Sequence, residues 1–294
     1  MKTVNSVSGG QTSAYMMKHF PADKTLFALI EIEDKSCAPK DPWIKKFVEE
    51  KTGREFIATL EDDIIVYTIA DLEQYTGQEI TFVPNMTFDE VLRLKKILPN
   101  SIRRYCTELM KVHPIAQYCH ETFGEPVEMR LGFRANEQHR AKRQIEQLNE
   151  NGYRTEKLVC GKHKNGNNKY KTVEWATNRF PLIEAGVFKD QIQKFWKDKP
   201  VRFAPRNNCV TCFHNNPMLL HLVSKKFPEK YRWAEEWEKK KMAQKSKAGK
   251  NYSDWLRWRA NHEGTYEDFR KHRTQLTLDD MEGFSECDSG YCGL

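Results

Sequence analysis

The sequence has no long uninterrupted apolar segment and no N-terminal secretion pattern. A helix that crosses a membrane needs about 18 consecutive apolar residues, and no run in this chain of 294 residues comes near that length. Residues 1–7 lead directly into a segment of high β propensity, without the charged start and apolar centre of a signal peptide. We therefore expect no membrane partner and a cytoplasmic location.

Cysteine, in contrast, is abundant. The chain contains 8 cysteines, and cytoplasmic proteins rarely use cysteine for structural disulfides. The grouping favours metal or redox chemistry, most clearly at Cys209 and Cys212, which are two residues apart. Cys287 and Cys292 lie in a glycine-containing tail, where we expect exposed thiols. Cys119 lies on a predicted helix, and we expect it to be a buried apolar residue.

The composition favours one catalytic domain with an extension. Hydrophobic residues make up 39% of the chain, which is enough for one sizeable core and an appendage. We predict a catalytic domain over residues 1–225, with an insertion at 62–100. Residues 226–294 are predicted to form a basic, aromatic helical extension and a cysteine-containing tail.

Basic charge is concentrated in that extension. The net charge is +7, and a dense basic run covers residues 238–250. Basic and aromatic residues together suit a DNA or RNA partner. A solvated helix face is the simpler explanation of the charge, and packing onto the core is the expected role of most of the aromatic rings.

Apolar runs alternate with a helical pattern in the first part of the chain. Strands are predicted at residues 3–7, 26–32, 56–60 and 127–131, and a helix is predicted at 41–51. This order predicts an α/β fold with a doubly wound, mostly parallel, five-stranded sheet, followed by the helical C-terminal extension. Within the predicted insertion, Thr87 and Glu90 have the spacing of a helix capping box.

A Ser8-Gly9-Gly10 turn separates the first predicted strand from the first predicted helix. Glycine lets the backbone approach an anion closely, and Thr12 and Ser13 offer hydroxyl and amide groups at a helix N-terminus. The turn falls beyond the carboxyl end of a parallel strand, which is where phosphates bind. Its spacing is neither GxxxxGK[ST] nor GxGxxG. A nucleotide site and a plain tight turn both explain the glycines.

Residues 8–13, SGGQTS, resemble the SGGx[DT]S signature of the PP-loop enzymes, which include ATP pyrophosphatases and phosphoadenosine phosphosulfate (PAPS) reductases. Thr12 stands where the pyrophosphatases have an aspartate near their metal. Residues 131–140 are similar to the G-x-R-x-x-E-x-x-R element of this family. The resemblance implies a Rossmann-like PP-loop fold, the adenine nucleotide α-hydrolase-like fold.

Three further motifs resemble sulfonucleotide reductases that carry an iron–sulfur cluster. They are Cys106, Lys111-Val-x-Pro114 and the Cys209-x-x-Cys212 pair. The family has two adjacent cysteines where this chain has Cys106-Thr107, so three of four family ligands are present. The C-terminal Cys292-Gly293-Leu294 resembles the mobile tail of PAPS reductases, although Tyr291 replaces the usual glutamate. The resemblance covers about residues 1–220 and the tail, and it is closest to the phage and bacterial type.

The resemblance implies a set of site residues. The implied metal ligands are Cys106, Cys209 and Cys212, and the implied catalytic residues are Cys292, Cys287 and Lys111. Nucleotide binding falls to Ser8, Gly9, Gly10, Gln11, Thr12, Ser13, Ile32, Arg104, Gly132, Arg134, Glu137 and Arg140.

The cofactor is left open between a [4Fe–4S] cluster, which the resemblance favours, and zinc. A structural zinc site closed by three cysteines and His214 is one alternative. A cluster with one open iron is another, because such an iron can hold sulfide. Cys160, Cys119, Cys37 or a tail cysteine could also complete the ligand set.

Three functions follow from these patterns. The first is a reductase of an adenosine phosphosulfate that uses tail thiols and a dithiol reductant such as thioredoxin. The second is an ATP- and Mg²⁺-dependent sulfurtransferase that adenylates and modifies DNA or RNA. The third is a nucleotide-binding protein without turnover, and we keep a homodimer as one expected assembly state.

Overall fold

The computed structural model describes residues 1–244, 256–259 and 264–271. Its strands are β1 (Thr3–Val7), β2 (Lys24–Phe27), β3 (Glu31–Ile32), β4 (Ala58–Thr59), β5 (Ile80–Phe82), β6 (Val127–Arg130), β7 (Arg154–Lys162) and β8 (Asn168–Arg179).

Helices connect these strands and follow the last one. They are α1 (Gln11–His19), α2 (Pro42–Thr52), α3 (Ile64–Thr76), α4 (Phe88–Leu94), α5 (Tyr105–Thr107), α6 (His113–Phe123), α7 (Gln138–Ile145), α8 (Pro181–Glu184), α9 (Lys189–Trp196), α10 (Pro217–Lys226), α11 (Pro228–Gln244) and α12 (Tyr266–Lys271). None of the helices in the described ranges combines the length and the apolar character needed to cross a membrane.

The central sheet has six strands in the order β5-β2-β1-β6-β8-β7. Neighbours from β5 to β8 are parallel, and β7 pairs antiparallel with β8. The α/β class and the mostly parallel sheet are therefore confirmed, whereas the predicted number of five strands is wrong. Both strands of the β7–β8 hairpin were missed because residues 161–172 are all exposed and have the glycine, asparagine and lysine content of a loop.

Part of the predicted central sheet belongs elsewhere: the predicted strand at 56–60 forms β4, and the second half of the run at 26–32 forms β3. The run at 26–32 breaks after Phe27, and β3 pairs antiparallel with β4 in a separate two-stranded sheet. The position beside β2 is taken by β5, which lies within the predicted insertion at 62–100. An apolar run indicates burial in an extended segment, but it does not specify the pairing partner.

Both faces of the central sheet are covered by helices. On one face, Val7 of β1 and Phe27 of β2 share a buried cluster with residues of α1, α2, α3 and α9. On the other face, Val4 and Leu26 of the same strands share a cluster with residues of α6. Because adjacent residues of a strand point to opposite faces, this alternation is that of a doubly wound sheet.

A third apolar cluster joins α4, the segment around residue 210 and the C-terminal helices, a name used here for α11 and α12. Its aromatic members include Trp233, Trp237, Trp258, Tyr266 and Phe269, which are all buried. The expected core packing of the aromatic residues is thus confirmed for these five, while Trp255 lies outside the described residues.

The predicted capping box at the start of α4 is confirmed. The Thr87 hydroxyl accepts a hydrogen bond from the Glu90 amide, and the Glu90 carboxylate accepts one from the Thr87 amide. Asp89 in the same turn accepts hydrogen bonds from the indole nitrogens of Trp233 and Trp237 at 2.9 and 2.8 Å. The first turn of α4 is therefore fixed both locally and by α11.

Candidate functional site

The strand order creates a switch point between β1 and β6. After β1 the chain moves to β2 and then to β5 on one side, and it returns to β6 on the other side of β1. The connections that leave the carboxyl ends of β1 and β6 therefore diverge, and ligands of open α/β sheets bind in the crevice between such connections. The segments at this position are residues 8–13, called here the glycine loop, and residues 131–140.

The glycine loop is held by its own polar groups. Ser13 is buried, and its hydroxyl donates to the Gly10 carbonyl at 3.1 Å and accepts from the Ser8 amide at 3.2 Å. Gly10 is the N-cap of α1, and no side chain in the described part of the protein caps the helix there. The first amides of α1 are thus donors without a side-chain cap, and such amides are the groups that bind anions at helix N-termini.

Backbone conformation or packing explains why each of the two loop positions is glycine. Gly9 has φ +71°, and a Cβ there would lie 2.7 Å from Cγ2 of Ile65. A Cβ on Gly10 would lie 2.4 Å from the side-chain nitrogen of Asn207, which donates to the Ser8 hydroxyl at 3.0 Å. Neighbouring side chains therefore disfavour a larger residue at both positions, and the positive φ of Gly9 adds backbone strain for any other residue there, independently of any ligand.

Residues 131–140 meet the glycine loop directly. A Cβ on Gly132 would lie 3.2 Å from the Cα of Ser13. Beyond this contact, Glu137 accepts hydrogen bonds from the backbone amide and the side chain of Arg134 and from Arg140. Burial raises the pKa of Glu137, but these hydrogen bonds outweigh it and hold the pKa below its ordinary value. Glu137 thus positions both arginines at the edge of the crevice.

The three cysteines of the predicted metal site lie around one cavity, called here the cysteine cavity. It measures about 60 Å³, which is room for several water-sized groups. Cys106, Cys209 and Cys212 line it together with Arg104 and Lys111 among others. Side chains that are about 100 residues apart in the sequence are thus brought together, as the resemblance implies.

Local geometry explains how the cysteines reach this cavity. Cys106 lies on α5, which continues through a π-helical turn at Glu108–Val112 into α6. Such turns are rare in helices and are frequent at functional sites. Cys209 and Cys212 lie on a tight turn in which the Cys212 amide donates to the Cys209 carbonyl at 3.0 Å.

A buried acid–base pair lies next to the cavity. Lys111 Nζ is 3.4 Å from Oε1 of Glu61, whose side chain is fully buried. Burial raises the pKa of Glu61, and the charge of Lys111 opposes the shift. Lys230 of α11 donates to the backbone carbonyl of Glu61 and, at 2.8 Å, to Asp63. Lys111 is therefore an ion-pair partner on the cavity wall, next to the cysteines.

His214, the alternative fourth ligand, lines the same cavity. Burial, together with the charges of Arg104 and Arg259, lowers the pKa of His214 to about 4. The imidazole is therefore neutral at neutral pH, and neutral imidazole is the form that binds metals.

The side chains around the cysteine cavity are of chemical types that bind metals. Three thiols and one neutral imidazole are ligands that zinc accepts, and thiols are the ligands of iron–sulfur clusters. Among the residues that the structure describes, however, no three His, Cys, Asp or Glu side chains stand close enough to hold a metal ion jointly.

The remaining cysteines lie apart from this cavity or outside the described residues. Cys119 is fully buried in the cluster under α6, which confirms the prediction for it, and burial raises its pKa to about 12. Cys160 on β7 has its sulfur 3.4 Å from Nε2 of His120. Cys37 is buried below β3, and Cys287 and Cys292 lie outside the described residues.

Residues 206–212 link the two candidate sites. Asn207 contacts Ser8 in the glycine loop, and Asn208 and Cys209, the next two residues, line the cysteine cavity. A ligand held on the glycine loop therefore lies beside the segment that carries the cysteine pair.

Comparison of this chain with protein-family models, with curated proteins and with solved structures gives no match. The resemblance to the PAPS reductase-like family therefore stays a prediction that depends on the motifs quoted above.

Most predicted nucleotide-binding residues lie in the glycine loop or in residues 131–140. Two lie elsewhere: Ile32 is buried in β3, and Arg104 lines the cysteine cavity. Sequence reasoning missed Asn207 and Glu61. An acid that directly follows a buried apolar run could have indicated Glu61, whereas nothing in the local sequence distinguishes Asn207 from an ordinary loop residue.

Proposed function

We propose that this protein is an adenine-nucleotide-binding enzyme of sulfur chemistry, similar to the PAPS reductases. The observation that carries the proposal is the connection through Asn207, which joins a helix-N-terminal anion site to a cavity lined by three cysteines. The glycine loop supplies backbone amides for phosphates. Arg134 and Arg140, positioned by Glu137, supply positive charge at the same edge of the sheet.

In this proposal the nucleotide carries an activated sulfate. A tail thiolate, Cys292 or Cys287, attacks the sulfur, and the nucleotide leaves with the bonding electron pair. A second thiol then displaces sulfite and forms a disulfide, which a dithiol protein such as thioredoxin reduces. A metal centre held by Cys106, Cys209 and Cys212 would supply electron or sulfide transfer when bound.

A second candidate is ATP-dependent sulfur transfer to a nucleic acid, with Mg²⁺ bound with the ATP. The observation that favours it is that three cysteines share one cavity beside the glycine loop. In that case Cys106, Cys209 and Cys212 provide the sulfur carrier, and the tail thiols are dispensable.

Anaerobic purification followed by iron, sulfide and zinc analysis on one sample tests the shared part of both candidates. We expect about four irons per chain with matching sulfide, and a Cys106→Ser variant should lose them while its circular dichroism stays unchanged. One zinc per chain without sulfide would contradict the cluster.

Turnover then separates the two candidates. Sulfite release from PAPS with a dithiol reductant, abolished by Cys292→Ser, supports the reductase. ATP-dependent thiolation of an oligonucleotide that survives Cys292→Ser supports the sulfurtransferase. Failure to bind either nucleotide would contradict the proposed function as a whole.

A further inference from the structure

A strongly basic concavity lies beside the cysteine cavity, on the segment between α4 and α5. It encloses about 560 Å³, which is within the size range of small-ligand sites. Its lining comprises Lys95, Lys96, Ile97, Arg103, Arg104 and Tyr105, with Glu108 as the single carboxylate. Four cations therefore face one anion in this basic cleft.

Hydrogen bonds fix the walls of the basic cleft. Asn100 is fully buried, and its side-chain oxygen accepts from the amides of Ile102 and Arg103, each at 3.0 Å. The Asn100 amide in turn donates to the Arg103 carbonyl at 3.1 Å. The Tyr105 hydroxyl donates to the Ile97 carbonyl across the cleft. These hydrogen bonds thus hold the turn that carries Arg103 in a fixed conformation.

The C-terminal helices support the opposite wall. Lys241 of α11 is buried, and its ammonium group donates to the carbonyls of Leu92 and Lys95 at 2.6 and 2.7 Å. Lys95 Nζ lies 5.7 Å from the centre of the Tyr105 ring. Neither Lys95 nor Lys96 forms an ion pair within the described part of the chain. Their charges are therefore available to an incoming anion.

The basic cleft and the cysteine cavity share a wall. Arg104 lines both, and Tyr105 in the cleft directly precedes Cys106 in the cavity. The glycine loop approaches the same cavity from a different side, through Asn207. A ligand in the cleft would thus lie on the other side of Arg104 from the cysteines, without occupying the glycine loop.

We propose that the basic cleft binds a second substrate, a phosphate-bearing nucleotide unit that is either free or part of a nucleic acid strand. The proposal rests on the sulfur chemistry proposed above and names the class of molecule that binds beside the cysteine cavity. Guanidinium groups bind phosphate oxygens in pairs, and ammonium groups add point charges. Leu94 and Ile102, next to the cleft residues in sequence, are 67% and 52% exposed and offer apolar surface to a base.

Binding of two ligands to the full-length protein tests the proposal. The first is a fluorescein-labelled single-stranded oligo(dT) of about 12 nucleotides, which is long enough to span one strand-binding site, and its binding is measured by fluorescence anisotropy. The second is uridine 3′,5′-bisphosphate, whose binding is measured directly by calorimetric titration. The test variant is Lys95→Ala/Lys96→Ala, and the matched control is Lys45→Ala/Lys46→Ala, which removes the same charge from the exposed side of α2.

If the bound phosphates belong to a nucleic acid, the test variant weakens oligonucleotide binding about tenfold or more. The slope of log binding constant against log salt concentration also becomes shallower by roughly 1.4, as expected for the loss of two phosphate contacts on a single strand. If they belong to a free nucleotide, only the bisphosphate binds, and the test variant weakens it. In both cases the control stays within about twofold.

Binding of both probes with equal strength to the wild type and to the test variant, or binding of neither probe, overturns the proposal. ATP and PAPS binding is measured in parallel on the same variants. Because the cleft lies apart from the glycine loop, the test variant should retain both nucleotides. If the proposed function itself is wrong, the wild-type protein will bind neither ATP nor PAPS.

Discussion

The glycine loop and the cysteine cavity are built in different ways. The glycine loop closes on itself, since Ser13 bonds Gly10 and Ser8 within six consecutive residues. The cysteine cavity joins α5, the turn at 209–212 and residues near 61, and Trp258 from the chain beyond α11 completes its lining. Short-range hydrogen bonds therefore close the glycine loop, to which Asn207 adds a long-range contact, whereas the cysteine cavity depends on long-range packing throughout.

This difference assigns different roles to the C-terminal helices at the two sites. Lys230 and Lys241 are lysines of α11, yet both are buried and donate to backbone carbonyls of the core. The basic charge of α11, which includes the start of the basic run at 238–250, is thus partly structural. It stabilises the segments around the cysteines, and it makes no described contact with the glycine loop.

The largest expected effect is that of Lys230→Met. This change removes a buried cation that holds the Glu61 carbonyl and Asp63, and breaking such a contact costs about 3 kcal/mol. We expect urea unfolding to show this loss of stability, with faster reaction of Cys209 and Cys212 with a thiol reagent. Nucleotide binding should change less than about twofold, because Lys230 donates to Glu61 and Asp63 and not to residues of the glycine loop.

Lys239→Met is the matched control for this comparison. Lys239 lies on the same helix and pairs with Glu267, but its side chain is 58% exposed. We expect a loss below about 1 kcal/mol and unchanged thiol reactivity. Equal effects of the two variants would contradict the structural role assigned to Lys230.

The next largest effect is expected for Gly10→Ala. The added methyl group would lie 2.4 Å from the Asn207 side-chain nitrogen, and overpacking of this kind costs about 2 kcal/mol. Nucleotide binding should fall because Asn207 moves away from Ser8, while thiol reactivity at the cysteine cavity stays as in the wild type. Calorimetric titration with ATP and PAPS measures nucleotide binding, and the rate of reaction with a thiol reagent measures the exposure of the cysteines.

A second substitution shows why Gly10 is needed. If Asn207 imposes the glycine, the Gly10→Ala/Asn207→Ala double variant should be more stable than Gly10→Ala and should bind nucleotide at least as well as Asn207→Ala. If the double variant is no better than Gly10→Ala, the glycine is required by the ligand or by the backbone, and the contact with Asn207 is incidental.

The same distinction explains what could be predicted from the sequence. The β1–loop–α1 unit and the Thr87–Glu90 capping box depend on neighbouring residues, so local patterns were enough to predict them. The pairing of β3 with β4, the π-helical turn at Glu108–Val112 and the contact of Asn207 with Ser8 depend on tertiary packing. The motifs at Cys106 and Cys209–Cys212 predicted which cysteines line one cavity, but their spacing did not reveal the buried Glu61 near them.

The smallest expected effect is a pH dependence of the C-terminal helices through Glu238. Its carboxylate accepts hydrogen bonds from the backbone amides of Trp258 and Tyr266. Burial raises the pKa of Glu238 to about 7, against these hydrogen bonds. A carboxyl group with a higher pKa in the folded state stabilises the fold at low pH, and this contribution is lost as the pH rises through about 7.

We therefore expect the protein to lose about 1–2 kcal/mol of stability between roughly pH 5 and pH 8 through this group alone. Glu238→Gln removes the titration and should flatten that part of the profile, whereas Glu236→Gln, at a side chain that is 52% exposed, should leave it unchanged. Thiol reactivity at the cysteine cavity should rise with pH in the wild type and in Glu236→Gln, but not in Glu238→Gln, after correction for thiol ionisation. A profile of the same slope in all three proteins would show that Glu238 does not couple the C-terminal helices to the cavity.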